Sequence, residues 1–290
     1  MRAVTHASAR AYMRPMIAAL DDRRLIRVRG DDARAFLNNL LTSRVDDLAP
    51  GQLRASALLT PQGRMLMDLL LLGEDYGVLI DVGRDLAETL LARLALYRLR
   101  AKVEIEAVEG TVHACWPDVV EGFVPDPRLG ALGGRAYGPG PLIPDALTPD
   151  ALTPDALADH YLAHRLALAV PEAADLGDHP TYPIELNFDL LGAIDFHKGC
   201  FVGQETTSRM KRRGQVRSRT LALRLAPGTP SPAPGSEVLA GDLRAGQVLR
   251  ASGALALAIM RLDRMEGPLG VDGAPAALVV PHWLAPHIAV

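Results

Sequence analysis

The sequence predicts an α+β protein with antiparallel sheets, followed by a small C-terminal β-barrel. Up to about residue 219, amphipathic helices are interspersed with short apolar strands, and one of these, Val103–Val108, alternates cleanly between apolar and polar residues. From residue 220 onward, short apolar strands are separated by turns rich in Pro, Gly and Ser, a pattern typical of small barrels. The length of 290 residues also exceeds the usual size of one hydrophobic core and indicates two or three domains. We therefore expect an α+β region over 16–219, built of two discontinuous subdomains of which one centres on 45–110, and a barrel over 220–290.

Hydrophobic periodicity defines the individual elements. Helices are predicted over Ala33–Leu41, Arg84–Leu99 and Asp159–Val170. The second helix should bury a face made of four leucines, namely Leu86, Leu90, Leu94 and Leu96. Strands of the first region are predicted over Leu25–Val28, Arg54–Leu59, Met65–Leu72, Tyr76–Asp81 and Val103–Val108. The stretch from Trp116 to Tyr137 is rich in turn residues and is predicted to be mainly loop. Barrel strands are predicted over Leu221–Leu225, Glu237–Leu239, Gly246–Leu249 and Ala254–Arg261.

Charge and cysteine content exclude several classes of function. The formal net charge is −3, so no overall field would recruit nucleic acid or an anionic membrane. Two cysteines form no disulfide framework, and they supply too few thiolates to hold a metal cluster or a structural zinc ion alone. A reducing cytoplasm is therefore the expected compartment. The longest apolar stretches, such as Leu66–Leu72 and Ala254–Met260, are too short to cross a bilayer.

The first fourteen residues carry three arginines and no acid, as an organelle presequence often does. They lack the apolar run of a secretory signal. The alternative is an extension upstream of a start at Met16, and we favour that interpretation.

No metal site is expected in this chain. His160 and His164 lie four residues apart on one face of a predicted helix, as zinc ligands often do. A third ligand is missing, because Asp159 and Glu172 are poorly placed to supply it. We therefore expect a solvated helix face there. Cys115 has no partner motif and is expected in a core.

The densest group of chemically useful residues lies in the stretch 196–205. Gly199 and Gly203 permit backbone conformations closed to other residues and let a ligand approach the main chain. A short helix is predicted to begin at Gly203, so Cys200 lies in the loop before a helix N-terminus and two residues from Lys198. Both features lower the pKa of a thiol. The residues alone leave open whether Cys200 is a reactive or ligand-facing thiol or an inert, buried one.

A basic run follows this stretch and is the one dense positive cluster in the sequence. Its members are Arg209, Lys211, Arg212, Arg213, Arg217 and Arg219. The first four complement the negative end of the predicted helix, which Gly214 should terminate. Direct RNA binding is disfavoured, because the run lacks the interleaved aromatic residues that base stacking requires.

The stretch Lys198–Glu205 resembles the K-G-C-[YF]-x-G-Q-E signature of the YgfZ family. These are folate-binding proteins related to the glycine-cleavage T-protein and to a mitochondrial iron–sulfur assembly factor. Three further stretches agree in order, and the likeness runs from Met16 to the C-terminus: Leu25–Leu37, Leu58–Asp68 and Pro183–Asp189. The resemblance implies a T-protein-like fold, with two intertwined α+β domains and a C-terminal barrel.

The resemblance also implies a function. We expect a monomer that binds tetrahydrofolate or a derivative and assists the assembly or maintenance of iron–sulfur proteins, including tRNA-thiolating enzymes. Cys200 would be the key thiol beside Lys198, acting as a transient cluster ligand, a redox thiol or an attachment point for a one-carbon unit. The other residues expected at the folate site are Asp68, Gly199, Gly203, Gln204, Glu205, Arg209 and Arg213.

Within that site, an acid or amide pair must hold the pterin edge and cations must hold the glutamate tail. Asp68 and Glu205 suit the first role, and Arg209 and Arg213 suit the second, since arginine pairs carboxylates bidentately. Asp68 lies in a very apolar predicted strand, and two interpretations of it stay open. Period-2 alternation would turn it to solvent, whereas a functional role would point it into a cavity.

The alternative function is that of a folate-dependent aminomethyltransferase, methyltransferase or demethylase. Related aminomethyltransferases carry an Arg-x-Glu-x-Gly segment whose glutamate holds the pterin. The comparable stretch here, Arg165–Ala169, lacks both the glutamate and the glycine. That departure argues against glycine-cleavage chemistry and favours a non-catalytic, folate-dependent assisting role.

Overall fold

The structure, a computed structural model, describes residues 15–138, 153–177, 179–214 and 216–288. The expectations about the first fourteen residues lie outside these ranges. The described strands form a five-stranded sheet, a four-stranded sheet and a closed six-stranded barrel, and all strand pairs are antiparallel. The predicted α+β class with a C-terminal barrel is therefore confirmed.

The five-stranded sheet has the order β3-β4-β5-β2-β6. Its strands are β2 (Arg23–Arg29), β3 (Leu53–Leu59), β4 (Met65–Glu74), β5 (Gly77–Gly83) and β6 (Glu104–Val108). Helices α1 (Ala33–Leu40) and α2 (Ala87–Arg98) share its main hydrophobic core. Strand β5 is buried along its whole length, because Ile80 faces that core while Leu79 faces the second sheet.

The leucine face predicted for α2 is wrong at one position. The helix buries Ala87, Leu90 and Leu94, but the side chain of Leu96 is 69% exposed. Leu96 follows Leu94 by two residues, about 200° further around the helix, and therefore points away from the face that Leu90 and Leu94 bury.

The four-stranded sheet has the order β1-β7-β9-β8. Its strands are β1 (Met16–Ala19), β7 (Thr111–Trp116), β8 (Val124–Pro125) and β9 (Gly134–Gly138). The prediction of mainly loop was therefore wrong over β9, whose glycines weaken the strand signal in the sequence. Cys115 on β7 is fully buried, as expected for a core residue.

Helix α3 (Pro154–Ala167) connects the four-stranded sheet to the barrel, since it contacts both. It begins five residues before the predicted start at Asp159, because Thr153 caps it through an accepted hydrogen bond from Ala156 N and Pro154 occupies its first turn. His164 was predicted to lie on a solvated helix face. Instead, it packs beside the ring of Trp116, with 6.3 Å between ring centres.

The barrel closes in the order β10-β13-β12-β11-β14-β15. Its strands are β10 (Ser218–Leu225), β11 (Glu237–Ala240), β12 (Leu243–Ser252), β13 (Leu255–Arg261), β14 (Leu269–Val271) and β15 (Ala274–Val279). Helix α4 (Gln204–Arg213) precedes it and ends at Gly214, whose φ of 66° is the left-handed conformation predicted for a helix stop. None of the helices in the described ranges is long and apolar enough to span a membrane.

Candidate functional site

The ammonium group of Lys198 holds the end of helix α1. Its Nζ donates hydrogen bonds to the carbonyl oxygens of Asn38 at 2.6 Å, Leu41 at 2.7 Å and Ser43 at 2.8 Å. An ammonium has three hydrogens, so all of its donors are used. The last carbonyls of a helix lack partners within the helix, and a cation satisfies them well. Burial lowers the pKa of Lys198 to about 8, and the nearby carboxylates of Asp195 and Asp46 oppose part of this shift.

The start of α4 is packed directly against the turn between β3 and β4. A Cβ atom on Gly203 would lie 2.6 Å from the carbonyl oxygen of Thr60 and 2.8 Å from the Cα of Gly63. A Cβ atom on Gly63 would lie 2.9 Å from the Cβ of Thr206. Both glycines also have a φ of +80°. Gly203 therefore allows the start of α4 to pack closely against the β3–β4 turn. The prediction from the sequence had instead assigned it to the approach of a ligand to the main chain.

Cys200 is exposed between these two fixed points. Lys198 on one side is 7% exposed, and Phe201 on the other side is 6% exposed and belongs to the main core. Gly199 is exposed, and a side chain at its position would meet no atom within 4 Å. The interpretation of Cys200 as an inert, buried thiol was therefore wrong. The signature, Lys198–Glu205, is thus a loop fixed at Lys198 and Gly203. We call this loop the platform, and it exposes the thiol of Cys200 to solvent just before the N-terminus of α4.

One face of α4 forms a shallow depression of about 490 Å³. It is lined by Phe196, Gln204, Glu205, Ser208, Lys211 and Arg212. Arg209 and Arg213 are exposed on the same helix and do not line it. Arg219, at the end of the basic run, is buried and pairs with Asp189 at 2.5 Å, so it holds the barrel to the α+β region instead of facing a ligand.

Asp68 lies in a buried network of charges beneath the 3₁₀ turn Ala173–Asp175. Its Oδ1 accepts a hydrogen bond from Ala173 N at 2.8 Å, and its Oδ2 lies 3.4 Å from Arg23 Nη1. The interpretation that turned Asp68 to solvent was therefore wrong. Alternation failed as a guide because both faces of β4 are covered.

Glu172 is the centre of this network, and the sequence did not single it out for this role. Its carboxylate lies 2.9 Å from Arg128 and 3.5 Å from Arg23, with Arg135 and Arg165 within 3.8 Å. Burial alone would raise the pKa of Glu172, but the four guanidinium groups hold it well below its usual value. The one signal available in the sequence was an acid directly after Pro171, at the end of a predicted helix.

A cavity of about 390 Å³ opens beside the network, where the two sheet regions meet the barrel. We call it the junction cavity. Its walls come from the β1–β2 turn, α3, the 3₁₀ turn and barrel strand β12, and they include Asp22, Arg23, Tyr161, Arg165, Glu172 and Arg250. Neither the junction cavity nor the depression on α4 contains both Asp68 and Glu205. The two acids predicted to hold one pterin edge therefore do not line either cavity together.

Metal ligands do not cluster within the described ranges. No group of three or more His, Cys, Asp or Glu side chains there could hold a metal ion. His164 Nε2 lies 2.8 Å from the carbonyl oxygen of Ala131, so that nitrogen is occupied by the backbone.

Comparison with known proteins bears on both halves of the chain. Residues 206–286 match the model of the family described as CAF17, C-terminal beta-barrel domain. The chain is 33% identical over 311 residues to the iron-sulfur cluster assembly factor IBA57, mitochondrial, of Homo sapiens, covering 91% of this chain and 84% of the human one. The corresponding protein of Mus musculus is 32% identical, with coverage of 91% and 84%.

The fold has a match among solved structures. The glycine cleavage system aminomethyltransferase T from Bartonella henselae superposes with a TM-score of 0.71, covering 93% of this chain and 86% of that one, at 18% sequence identity. The T-protein-like fold implied by the signature is therefore confirmed. Since the likeness to the human and mouse proteins extends over most of both chains, this chain belongs to the IBA57/CAF17/YgfZ family.

Proposed function

We propose that this protein assists the assembly or maintenance of iron–sulfur proteins, with Cys200 as the thiol that contacts a cluster or its client. The observation that carries the proposal is the exposed thiol on a platform held by Lys198 and Gly203. The names of the human and mouse relatives, which describe iron-sulfur cluster assembly factors, support it.

The chemistry of Cys200 is limited by the small number of thiols in the chain. Clusters are usually held by four thiolates, and the other cysteine, Cys115, is buried in β7. Cys200 therefore supplies one ligand or one redox thiol, and a client or assembly protein supplies the rest. Enzymes that thiolate tRNA are among the proposed clients. The proposed compartment is the cytoplasm, because both cysteines are free thiols.

We further propose that a reduced pteridine of the folate type binds in the junction cavity. A volume within the range of small-molecule sites supports this placement. Asp22 lines the cavity and offers a carboxylate acceptor for the N–H groups of a pterin edge. Apolar contact for a flat ring comes from Leu20, Leu162 and the ring of Tyr161.

The two ends of folate fit this cavity differently. The pterin end fits, for the reasons just given. The glutamate tail does not, because Arg209 and Arg213, which were predicted to hold it, lie on α4 and do not line the junction cavity. The folate-binding roles predicted for Asp68 on β4 and for three residues of α4 stay predictions. The three are Glu205, Arg209 and Arg213.

The position of Asp68 supports a non-catalytic role over the transferase alternative. A carboxylate that takes part in one-carbon transfer must reach the substrate, whereas Asp68 is 5% exposed and bonded to Ala173 N and Arg23. Formation of a methylated or demethylated product from a methylated amine and tetrahydrofolate would instead favour the transferase.

The test of the main proposal is complementation of a host that lacks its own member of the family. Cys200→Ala should fail to restore the activity of iron–sulfur enzymes and the level of thiolated tRNA. His197→Ala is the matched control, because His197 is also exposed and lies in the same loop. Full rescue by Cys200→Ala would refute the role of the thiol.

A further inference from the structure

A second cleft lies between the α+β region and the barrel. It has a basic end of about 470 Å³ and an apolar end of about 450 Å³. Both ends are lined by His179, Pro180 and Gln247, so they form one continuous trough. We call this trough the barrel cleft. It shares no lining residue with the junction cavity or with the depression on α4.

The basic end carries more positive charge than its own acids neutralise. Four arginines from both halves of the protein line it: Arg64, Arg244, Arg261 and Arg264. Arg244 pairs with Glu237 at 3.3 Å, and Arg261 pairs with Asp263 at 2.6 Å. Arg64 and Arg264 form no ion pair with a described residue. Two unneutralised guanidinium groups therefore line one end of the cleft.

The one acid among the described residues of this end is Glu185, and it is occupied elsewhere. Its Oε2 accepts hydrogen bonds from Thr181 Oγ1 at 2.9 Å and from Tyr182 N at 3.0 Å. Glu185 therefore fixes the loop that carries Tyr182 and forms no ion pair with Arg64 or Arg264.

Arg64 and Arg264 are held in position by the backbone. Arg64 Nη1 donates to the carbonyl oxygen of Pro180 at 3.0 Å, and its guanidinium lies 4.9 Å from the centre of the Tyr182 ring. Arg264 Nη1 donates to the carbonyl oxygen of Arg244 at 2.8 Å. A guanidinium has five N–H donors, so each of the two arginines keeps donors for a ligand. Since like charges repel, an anion between them would relieve the repulsion as well as accept their hydrogen bonds.

Two guanidinium groups favour a phosphate group over a carboxylate. A carboxylate presents two oxygens, which one bidentate arginine satisfies. A terminal phosphate presents three oxygens and can accept from two arginines at once, and a diphosphate extends the same contact over a longer distance.

The apolar end of the barrel cleft suits an uncharged body attached to that anion. Its described lining contains no Asp, Glu, Lys or Arg, and its walls include Leu176, Pro234 and Leu249. Such walls favour a flat, apolar ring and disfavour a second charged group. The two ends together therefore indicate a ligand with phosphate at one end and a ring at the other.

Polar atoms lie where the two ends meet. His179 Nδ1 is enclosed by protein and has no hydrogen-bond partner in the described ranges. Buried polar atoms without a partner are rare, and a polar atom of a ligand placed there would satisfy it. Gln247 Oε1 accepts a hydrogen bond from Arg244 Nη2 at 3.3 Å, so the position of this amide beside the basic end is fixed. A heterocyclic base or a sugar supplies the polar atoms that these two side chains require.

We infer that the barrel cleft binds a nucleoside diphosphate. The phosphates lie between Arg64 and Arg264, and the base lies at the apolar end. Each end has a volume within the range of small-molecule sites. This role goes beyond the proposed function and depends neither on Cys200 nor on the junction cavity.

The test is calorimetry on the full chain with one purine and one pyrimidine diphosphate, ADP and UDP. The comparison probes are adenosine, uridine, pyrophosphate and citrate. At least one diphosphate should bind, and it should bind at least roughly tenfold more tightly than its nucleoside, pyrophosphate or citrate. Raising the ionic strength from about 0.01 M to about 0.15 M shortens the Debye length from about 30 Å to about 8 Å, so it should weaken the binding of the diphosphate.

Substitution of the two unpaired arginines tests where the phosphates bind. Arg64→Gln with Arg264→Gln should lower the affinity for the diphosphate at least roughly tenfold. The matched control is Arg98→Gln with Arg224→Gln, which removes the same charge from exposed positions that line neither end and should leave the affinity unchanged.

A single variant guards against loss of folding. Arg64 also packs on Tyr182, whereas the one hydrogen bond that Arg264 donates goes to the carbonyl oxygen of Arg244. Arg264→Gln alone should keep the urea midpoint of the wild type and still lower the affinity for the diphosphate by at least roughly threefold.

Four outcomes would overturn the inference. They are no binding of either diphosphate, pyrophosphate that binds as tightly as the diphosphate, citrate that does so, and equal affinities in the Arg64/Arg264 variant and its control. None of them affects the proposed role of Cys200, which complementation tests separately.

Discussion

The ammonium of Lys198 lies 2.7 Å from the carbonyl oxygen of Leu41, a residue 157 positions earlier in the chain. This contact joins the loop that carries Cys200 to the end of helix α1. Together with the contact between Gly203 and Gly63, it makes the signature a feature of tertiary packing and leaves the thiol of Cys200 exposed.

Replacement of Lys198 by methionine should destabilise the protein. The side chain length is kept, but the carbonyl oxygens of Asn38, Leu41 and Ser43 lose their donor. We expect the free energy of unfolding to fall by about 2–4 kcal/mol, as measured by urea denaturation. Lys102→Met, at an exposed lysine, should change it by less than about 0.5 kcal/mol. Equal effects of the two substitutions would contradict the anchoring role.

Replacement of Gly203 by alanine should cost about 2–5 kcal/mol of unfolding free energy. The positive φ accounts for about 1–2 kcal/mol, and the overlap with Thr60 and Gly63 adds the rest. Gly214→Ala isolates the first contribution, because Gly214 also has a positive φ but open space around it. The packing argument fails if thermal or urea unfolding gives the same loss for both variants.

The two cysteines should differ sharply in reactivity. Cys200 is exposed and Cys115 is fully buried, so a thiol reagent should modify one thiol per native molecule and two after unfolding. Intact mass and peptide mapping identify the modified residue. Cys200→Ser should abolish the native reaction. Modification of Cys115 in the native Cys200→Ser variant would show that the core around β7 is open.

Glu172 should make the stability of the protein depend on acidic pH. Its pKa in the folded state lies well below the value of about 4.3 in an unfolded chain, so below that pH the unfolded chain binds more protons. The stabilisation by Glu172 is complete above about pH 4.3 and is lost as pH falls through the lower, folded-state pKa.

The measurement is the urea midpoint as a function of pH in Glu172→Gln. At neutral pH this variant should lose about 3–5 kcal/mol, because it leaves buried guanidinium groups uncompensated. Its deficit relative to the wild type should shrink below about pH 4.3. Glu121→Gln, at an exposed acid, serves as the control. A deficit that stays constant down to acid pH would contradict the assigned ionisation of Glu172.

Hydrophobic periodicity predicted the elements of the five-stranded sheet well, because helices and strands impose repeats that neighbouring residues must satisfy. It was less useful for β9, a short strand with a glycine at each end. The prediction for Leu96 was wrong because, at 3.6 residues per turn, Leu96 does not share the face of Leu90 and Leu94.

The sequence by itself determined the fold class and the family signature that contains Cys200, because these depend on residues close together in the chain. Only the tertiary structure decided what Lys198 binds, which way Asp68 points and which charges surround the junction cavity. Those properties arise from contacts such as Arg23 with Glu172, which lie 149 positions apart. No local pattern encodes such a contact, since it depends on how the two sheets and the barrel pack together.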